Sequence, residues 1–116
     1  MSKQRINLWL PFPPSVNHYW GTNGSHKFLT ASARKFREKV VAAARQNVPF
    51  RKRLGISIVL IMPSRQERDI DNYNKGLFDA LAHAGVIVSD KQFDKLSVQR
   101  GHVAKPGCCR VTIWEL

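Results

Sequence analysis

An apolar run near the middle of the chain is the feature that most constrains the fold. It extends from Leu54 to Met62 with the alternation of a strand, and Val59 and Ile61 make its second face partly apolar as well. A strand that is apolar on both faces belongs inside a sheet. Pro63 ends the run, because proline cannot donate a hydrogen bond to a neighbouring strand. The run therefore predicts a central strand.

The remaining periodic segments predict helices packed on a sheet. Alternating apolar residues indicate strands, apolar residues at helical spacing indicate helices, and clusters of Gly, Pro and Asn mark connections. The predicted elements are a strand at Ile6–Leu10, a loop at Val16–Phe28, a helix from Thr30 or Ser32 to about Asn47, a helix from about Asp71 to Gly85, a short apolar run from Val86 to Asp90, and two strands, Leu96–Val103 and Cys108–Leu116, joined as a hairpin by Ala104–Gly107. The order β-α-β-α-β-β predicts an α+β fold in a single small domain, residues 1–116, with a mixed sheet and two helices packed on it.

The net charge of the chain indicates the class of molecule that it binds. The chain has 19 Lys and Arg against 8 Asp and Glu, a formal net charge of +11 in 116 residues. Such an excess favours a polyanionic partner, most often nucleic acid. A basic protein without such a partner is the alternative that this count leaves open.

Several other classes of protein are excluded by composition. No stretch approaches the roughly 20 apolar residues of a membrane span, and no apolar segment follows the N-terminus as in a secretory signal. Cys108 and Cys109 are adjacent and poorly placed to bridge each other, so we expect no disulfide and a reducing, cytoplasmic setting. The four histidines lack the spacing of a zinc site, and no Gly-rich loop fits a nucleotide cofactor.

The acidic residues are concentrated in one part of the chain. Five of the eight fall in a window of 26 residues, namely Asp69, Asp71, Asp79, Asp90 and Asp94. A protein that binds a polyanion gains nothing from carboxylates at its binding surface unless they hold a cation. Mg²⁺ prefers carboxylate oxygens and assists phosphodiester cleavage, so this window indicates metal-assisted hydrolysis.

Within this window, the segment Asp69-Ile70-Asp71-Asn72 is the pattern most specific for a metal site. Residues two apart in an extended segment project to one side, so Asp69 and Asp71 can share a metal. Asp71 also fits the N-cap of the second helix. Lys75, four residues later, would lie beside it and can stabilise charge on a scissile phosphate. Asp90 can supply a third carboxylate from a neighbouring element.

A structural interpretation of the same residues is open at this point. Asp71 can be a helix cap, Asp69 a solvated loop acid and Lys75 a surface ion-pair partner. Asp79, four residues after Lys75, is then its simplest partner, and Asp94 is most simply a turn residue.

Longer motifs in the chain resemble a known family. Pro13-Pro14-Ser15-Val16-Asn17 resembles the P-P-S-x-N opening of RusA-type Holliday junction resolvases. Arg68-Asp69-Ile70-Asp71-Asn72-x-x-Lys75, followed by Asp79-Ala80-Leu81, resembles their central signature R-D-x-D-N-x-x-K-x-x-x-D-A-L. The segment from Ala84 to Asp90 is similar to the one that leads to the family's third acid. The resemblance covers nearly the whole chain from Leu8 onward.

The resemblance implies a function and a set of site residues. These resolvases are small homodimeric Mg²⁺-dependent endonucleases, often encoded by prophages, that cut four-way DNA junctions by paired symmetric nicks in recombination and repair. Their three metal-binding acids fall on Asp69, Asp71 and Asp90, and their functional lysine falls on Lys75, all four with catalytic roles. Ser89 stands where relatives can carry a further acid. The implied cofactor is Mg²⁺, with Mn²⁺ as its substitute, and the implied partners are DNA and a second copy of the chain.

Two other functions are compatible with the sequence. One is a basic nucleic-acid-binding module without catalysis, and the other is a nuclease of the same fold that acts on other branched DNA. The aromatic group Trp9, Phe12, Tyr19 and Trp20 also has several interpretations. It can lie in the core, line a dimer interface or stack on an unpaired base, and we favour the core or the interface.

Overall fold

The apolar run at the middle of the chain forms an inner strand, as predicted. The computed structural model describes residues 3–45 and 48–116. Its main sheet consists of β1 (Arg5–Pro11), β4 (Leu54–Ile61), β5 (Phe93–Arg100) and β6 (Cys108–Glu115), in the spatial order β1-β6-β4-β5. Strand β6 is antiparallel to β1 and β4, and β5 is parallel to β4. The predicted mixed sheet of an α+β fold is therefore confirmed.

Two long helices cover one face of this sheet. Helix α2 (Ala31–Ala44) begins after Thr30, whose hydroxyl accepts a hydrogen bond from the Ala33 N–H at 3.1 Å and so caps the helix. Its predicted end at Asn47 lies outside the described residues. Helix α3 (Asn74–His83) packs beside it. No helix in the described ranges has the length and hydropathy needed to cross a membrane.

The core lies between these helices and the sheet. Successive side chains of a strand face opposite sides, so alternate residues of each strand point toward the helices. On β4 these are Leu54, Ile56, Ile58 and Leu60, all of them buried. The predicted helical stripes are buried at Ala33, Phe36, Val40, Leu77 and Leu81, whereas Phe78, Ala44 and Ala84 are half-buried and Ala43 is exposed.

The segment predicted to be a long loop is structured, so that prediction is wrong. Val16–Tyr19 forms a short helix, α1, and strands β2 (Trp20–Asn23) and β3 (His26–Leu29) pair antiparallel. Gly24 in the tight turn adopts φ 65°, a left-handed conformation that costs glycine little. Asn-Gly is typical of tight hairpin turns, but the polar composition of the segment led to the prediction of a loop.

The predicted C-terminal hairpin is also wrong. Strands β5 and β6 are not neighbours, because β4 lies between them. The connection after β5 crosses the end of β4, where the Gly101 N–H donates to the Leu60 carbonyl at 2.9 Å and the Ala104 N–H donates to the Met62 carbonyl at 3.0 Å. Alternation identifies a strand but not the neighbour with which it pairs, so the hairpin was inferred from closeness in sequence alone.

The second helix starts later than predicted. Ile70–Tyr73 forms a 3₁₀ turn, and the α-helix begins only at Asn74. Gly85 follows the helix with φ 76°, as expected of the residue that ends it. The short apolar run after it makes a single isolated bridge, and Asp90 begins a 3₁₀ turn instead of following a strand.

Both cysteines are free thiols, as predicted. Cys109 is buried on β6, and burial raises the pKa of its thiol to about 12. Since the thiolate is the reactive form of cysteine, this side chain acts as part of the core and not as a nucleophile.

Candidate active site

Arginine side chains hold the loop that carries the acidic motif. The Arg68 guanidinium donates hydrogen bonds to the Ser64 carbonyl at 3.3 Å, the Ser64 hydroxyl at 3.1 Å and the Gln66 carbonyl at 3.2 Å. Arg100, the last residue of β5, donates to the Arg68 carbonyl. These contacts attach the backbone immediately before Asp69 to the sheet.

Asp69 and Asp71 lie on one exposed turn. Asp69 precedes the 3₁₀ turn, and its carbonyl accepts a hydrogen bond from the Asn72 N–H at 3.3 Å, while Asp71 lies within the turn. Both side chains are exposed. The residue before α3 is Tyr73, so the predicted role of Asp71 as a helix cap is wrong. The two acids therefore belong to the same turn, and neither side chain caps it.

A cleft of about 960 Å³ opens beside Asp69. Three arginines line it, Arg65, Arg68 and Arg100, together with the acids Glu67 and Asp69. Guanidinium groups bind phosphate oxygens, often through two parallel hydrogen bonds. The cleft therefore combines a phosphate-binding wall with a carboxylate at its edge.

An aromatic pair forms the apolar side of the cleft. The rings of Phe12 and Tyr73 meet edge to face with their centroids 4.9 Å apart. Burial raises the pKa of the Tyr73 hydroxyl; Arg68 and Arg100 act in the opposite direction and Asp69 in the same direction. Tyr73 is therefore neutral at physiological pH and adds no negative charge to the cleft.

Lys75 lies in the first turn of α3, just beyond the two acids. It is the second residue of that helix, and its side chain is exposed. The predicted proximity to Asp71 is consistent with this position, because the 3₁₀ turn leads directly into α3. A cation is thus available at the same rim as the carboxylate pair.

Asp90 lies at the opposite end of the sheet. Its turn is attached to the segment before β4 by Gln92, whose side-chain amide donates to the Phe50 and Lys52 carbonyls, both at 2.9 Å. Asp69 instead follows the far end of β4. The 8 residues of that strand span about 23 Å at about 3.3 Å per residue.

Asp90 therefore cannot reach a metal held by Asp69 and Asp71 of the same chain. Within residues 3–45 and 48–116, no group of three or more His, Cys, Asp or Glu side chains is placed to hold a metal ion. Sequence reasoning also missed Gln92, the buried side chain that sets the position of Asp90.

Comparison with known proteins identifies the family. The family model described as Endodeoxyribonuclease RusA matches residues 11–113. The chain belongs to this RusA family. Its relatives include the crossover junction endodeoxyribonuclease rusA of Enterobacteria phage HK97, 38% identical over 110 residues that cover 92% of each chain. The protein of that name from Escherichia coli strain K12 is 32% identical over 113 residues, 95% of this chain and 94% of the relative. The resemblance inferred from the motifs is confirmed.

One acid of the RusA signature has a structural role that sequence reasoning missed. Asp79 does not pair with Lys75. Its carboxylate accepts the Tyr19 hydroxyl at 2.6 Å and two N–H groups of Arg37 at 2.9 and 3.1 Å. Burial raises the pKa of Tyr19 above its ordinary range, and the hydrogen bond to Asp79 adds to the effect. These side chains join α1, α2 and α3, and so fix the helix of this RusA-family chain that carries Lys75.

Replacing Asp79 by alanine should lower the free energy of unfolding by about 1–3 kcal/mol, because it leaves the Tyr19 hydroxyl and the Arg37 guanidinium without their acceptor. Urea denaturation measures the change. Asp94→Ala is the matched control: Asp94, predicted to be a turn residue, lies in β5 and pairs with Arg53 at an exposed site, where removal of a charge has little effect. Equal effects of the two substitutions would contradict the role given to Asp79.

Proposed function

We propose that this chain is a Mg²⁺-dependent, structure-selective endodeoxyribonuclease that resolves four-way DNA junctions by paired symmetric nicks. The observation that carries the proposal is the exposed carboxylate pair, Asp69 and Asp71, beside a cleft lined by three arginines. Membership of the RusA family supports it, as do the names of the relatives, which are crossover junction endodeoxyribonucleases.

The charge distribution supports DNA as the substrate. The excess of 11 positive charges supplies affinity for the phosphate backbone without reading its sequence. A branched junction is recognised mainly by its shape, so phosphate contacts in a fixed geometry suffice. Arg65 and Arg100 would contact a strand in the cleft, next to the carboxylates that must meet the scissile phosphate, while Arg68 holds the loop through Ser64 and Gln66.

Asp69 and Asp71 fit a hard divalent cation. Both are exposed carboxylates of a single turn, and neither takes part in the ion pairs recorded among the described residues. Bound there, Mg²⁺ would shield the scissile phosphate, lower the pKa of a water nucleophile and stabilise the leaving oxygen. The two carboxylates position that charge at the rim of the cleft, where the arginines orient the strand.

A homodimer would supply the third acid. One chain cannot bring Asp90 to the carboxylate pair, because the length of β4 separates them. In a dimer with two-fold symmetry, the end of one chain that carries Asp90 can face the end of its partner that carries the carboxylate pair. We infer that Asp90 of the partner subunit completes each site. Two such sites also match a task that needs two symmetric cuts.

An exposed apolar strip supports this arrangement. Leu96 of β5 is 51% exposed and lies between the half-buried Phe93 and Val98 of the same strand, and Val88, which follows α3, is 54% exposed. The rings of Phe78 in α3 and Phe93 in β5 have centroids 5.0 Å apart, so the strip runs along α3 and β5, between the two acid positions. A two-fold axis through this strip would bury it and reverse one copy relative to the other.

Lys75→Ala should reduce turnover by about 10²-fold while changing junction affinity little, because charge develops on the phosphate only in the transition state. Lys75 is one of 19 cations, so its share of ground-state binding is small. Lys39→Ala, at an exposed lysine of α2 away from the proposed site, is the charge-matched control. Single-turnover rates and binding titrations on one junction separate the two effects. Equal losses of binding and cutting would show that Lys75 only contacts a phosphate and has no separate role in the transition state.

Cutting should require Mg²⁺ or Mn²⁺ and stop in excess EDTA, whereas Ca²⁺ should support binding without cutting. The proposed ligands are all oxygens, which Ca²⁺ also accepts, but Ca²⁺ tolerates looser geometry and activates water poorly. Gel assays with each ion on a labelled junction provide the measurement. Undiminished cutting in EDTA would contradict the metal assignment.

A panel of substrates tests the proposed function as a whole. The chain and Mg²⁺ are incubated with end-labelled four-way junction, flap, linear duplex and single strand, and the cuts are mapped. Symmetric paired nicks in the junction alone are the expected result. Preferred cutting of the flap would assign the chain to other branched DNA, and binding without any cut would make it a binding module.

A further inference from the structure

The main sheet has a second face that no helix of the described residues covers. We call it the open face: the side of the sheet that carries Trp9 of β1, Arg110 of β6 and Lys95 of β5, opposite to the core. Trp9 is 63% exposed, and both Lys95 and Arg110 are exposed as well. A sheet face that is normally packed against another layer is therefore available for contact with a partner.

The charged residues at the paired outward positions of the open face are all cations. Strand pairing places Arg5, Lys95 and Arg110 on this side, since Arg5 lies opposite Trp114, Lys95 opposite Gly55 and Arg110 opposite Trp9. None of the outward positions of the four strands that share this register carries Asp or Glu. The open face is therefore complementary to a polyanion.

Two tryptophans lie among these cations, and the exposed one, Trp9, provides a flat surface. The Arg110 guanidinium lies 4.9 Å from the ring centroid of Trp9, and the Arg5 guanidinium lies 5.9 Å from that of Trp114. The Trp114 ring lies against the sheet at Gly55, where a Cβ would come within 2.4 Å of it. Four residues along β6 separate the two tryptophan positions, about 13 Å at about 3.3 Å per residue.

We propose that the open face binds an unpaired DNA strand, with a base stacked on the exposed Trp9 and with phosphates contacted by Arg5, Arg110 and Lys95. Aromatic rings between cations are the usual means of holding single strands, because every base offers a flat π-face whatever its sequence. A paired duplex hides those faces. The open face thus gives the chain a contact with unpaired nucleotides that is separate from the carboxylates of the proposed cutting site.

Charge argues against a second copy of the chain as the occupant. A two-fold contact between open faces would bring Arg5, Lys95 and Arg110 of one copy toward the same cations of the other. The paired outward positions offer no carboxylate to neutralise them, and Asp94, at the bulge of β5, is already paired with Arg53. The exposed apolar strip along α3 and β5 carries no such repulsion and leaves the open face accessible.

Fluorescence anisotropy in EDTA tests the proposal, because binding is then measured whether or not the chain cuts DNA. The probes are a labelled oligothymidine and a blunt duplex of the same length. The variants are Trp9→Ala, the conservative Trp9→Phe, and Phe28→Ala as a control, since Phe28 is an exposed aromatic side chain on β3 and not on the open face.

Trp9→Ala should weaken oligothymidine binding by about 5- to 100-fold, the usual loss for one stacked base. Trp9→Phe should restore most of the affinity, and Phe28→Ala should bind as the wild type does. Duplex affinity should be unchanged in all three. Wild-type binding of oligothymidine by Trp9→Ala, equal losses for both probes, or no binding of oligothymidine by the wild-type chain would overturn the proposal. So would a change from dimer to monomer in sedimentation, which would make the open face a subunit interface.

Discussion

Asp71→Asn should abolish DNA cutting, with a loss of about 10²-fold or more, and should leave junction binding unchanged or slightly tighter. A neutral amide oxygen is a weaker ligand for Mg²⁺ than a carboxylate is. The substitution also removes a negative charge that repels phosphate when no metal is bound. Since Asp71 is exposed and caps no helix, the fold should survive, which circular dichroism checks. Nicking and binding are measured on the same four-way junction.

Glu67→Gln is the matched control for that experiment. Glu67 is an exposed acid that lines the same cleft, so its replacement removes the same charge at a nearby position. It should cut the junction as the wild-type chain does, because it lies outside the proposed pair. Near wild-type nicking by Asp71→Asn would refute the metal-site assignment and, with it, most of the enzymatic proposal.

A mixture of Asp71→Asn and Asp90→Asn chains should recover cutting that neither variant shows alone. If each site combines Asp71 of one subunit with Asp90 of the partner subunit, a mixed dimer contains one site with both substitutions and one site with neither. Random pairing of equal amounts then restores about a quarter of all sites. Each mixed dimer should nick a junction on one strand only, which denaturing gels detect.

The control mixture combines Asp69→Asn with Asp71→Asn. These two residues belong to the same turn, so every site in every dimer keeps one of the substitutions and no cutting should return. Recovery in this control would contradict the proposed division of the site between subunits. The same holds if the first mixture stays inactive although mass spectrometry shows that mixed dimers have formed.

The parts of the fold that were predicted correctly depend on local patterns. The apolar run of β4 and the buried stripe of α2 follow from residue periodicity, and Thr30 follows from the preference of hydroxyl side chains for helix caps. The prediction failed for the β5–β6 hairpin because pairing is a choice among distant strands. It failed for the β2–β3 hairpin because the polar composition of that segment was given more weight than its Asn-Gly turn.

The sequence by itself predicts the chemistry of the proposed site. Asp69 and Asp71 are two residues apart, and Lys75 follows within one further turn, so no long-range contact is needed to bring them near each other. The charge excess and the family signature are likewise properties of the chain as written. The spacing and the signature are local, and the net charge is a sum over residues. All three can therefore be predicted without knowledge of the tertiary structure.

Only the tertiary structure decided how far apart the acids lie and what each of them contacts. Asp79 binds Arg37 and Tyr19, which are 42 and 60 positions away in the chain. Asp90 precedes β5, and the side chain of Gln92 attaches its turn to the segment just before β4, whereas Asp69 follows the end of β4. Such distances depend on strand order and on packing between remote segments. For that reason the separation of Asp90 from the carboxylate pair appears only in the folded chain.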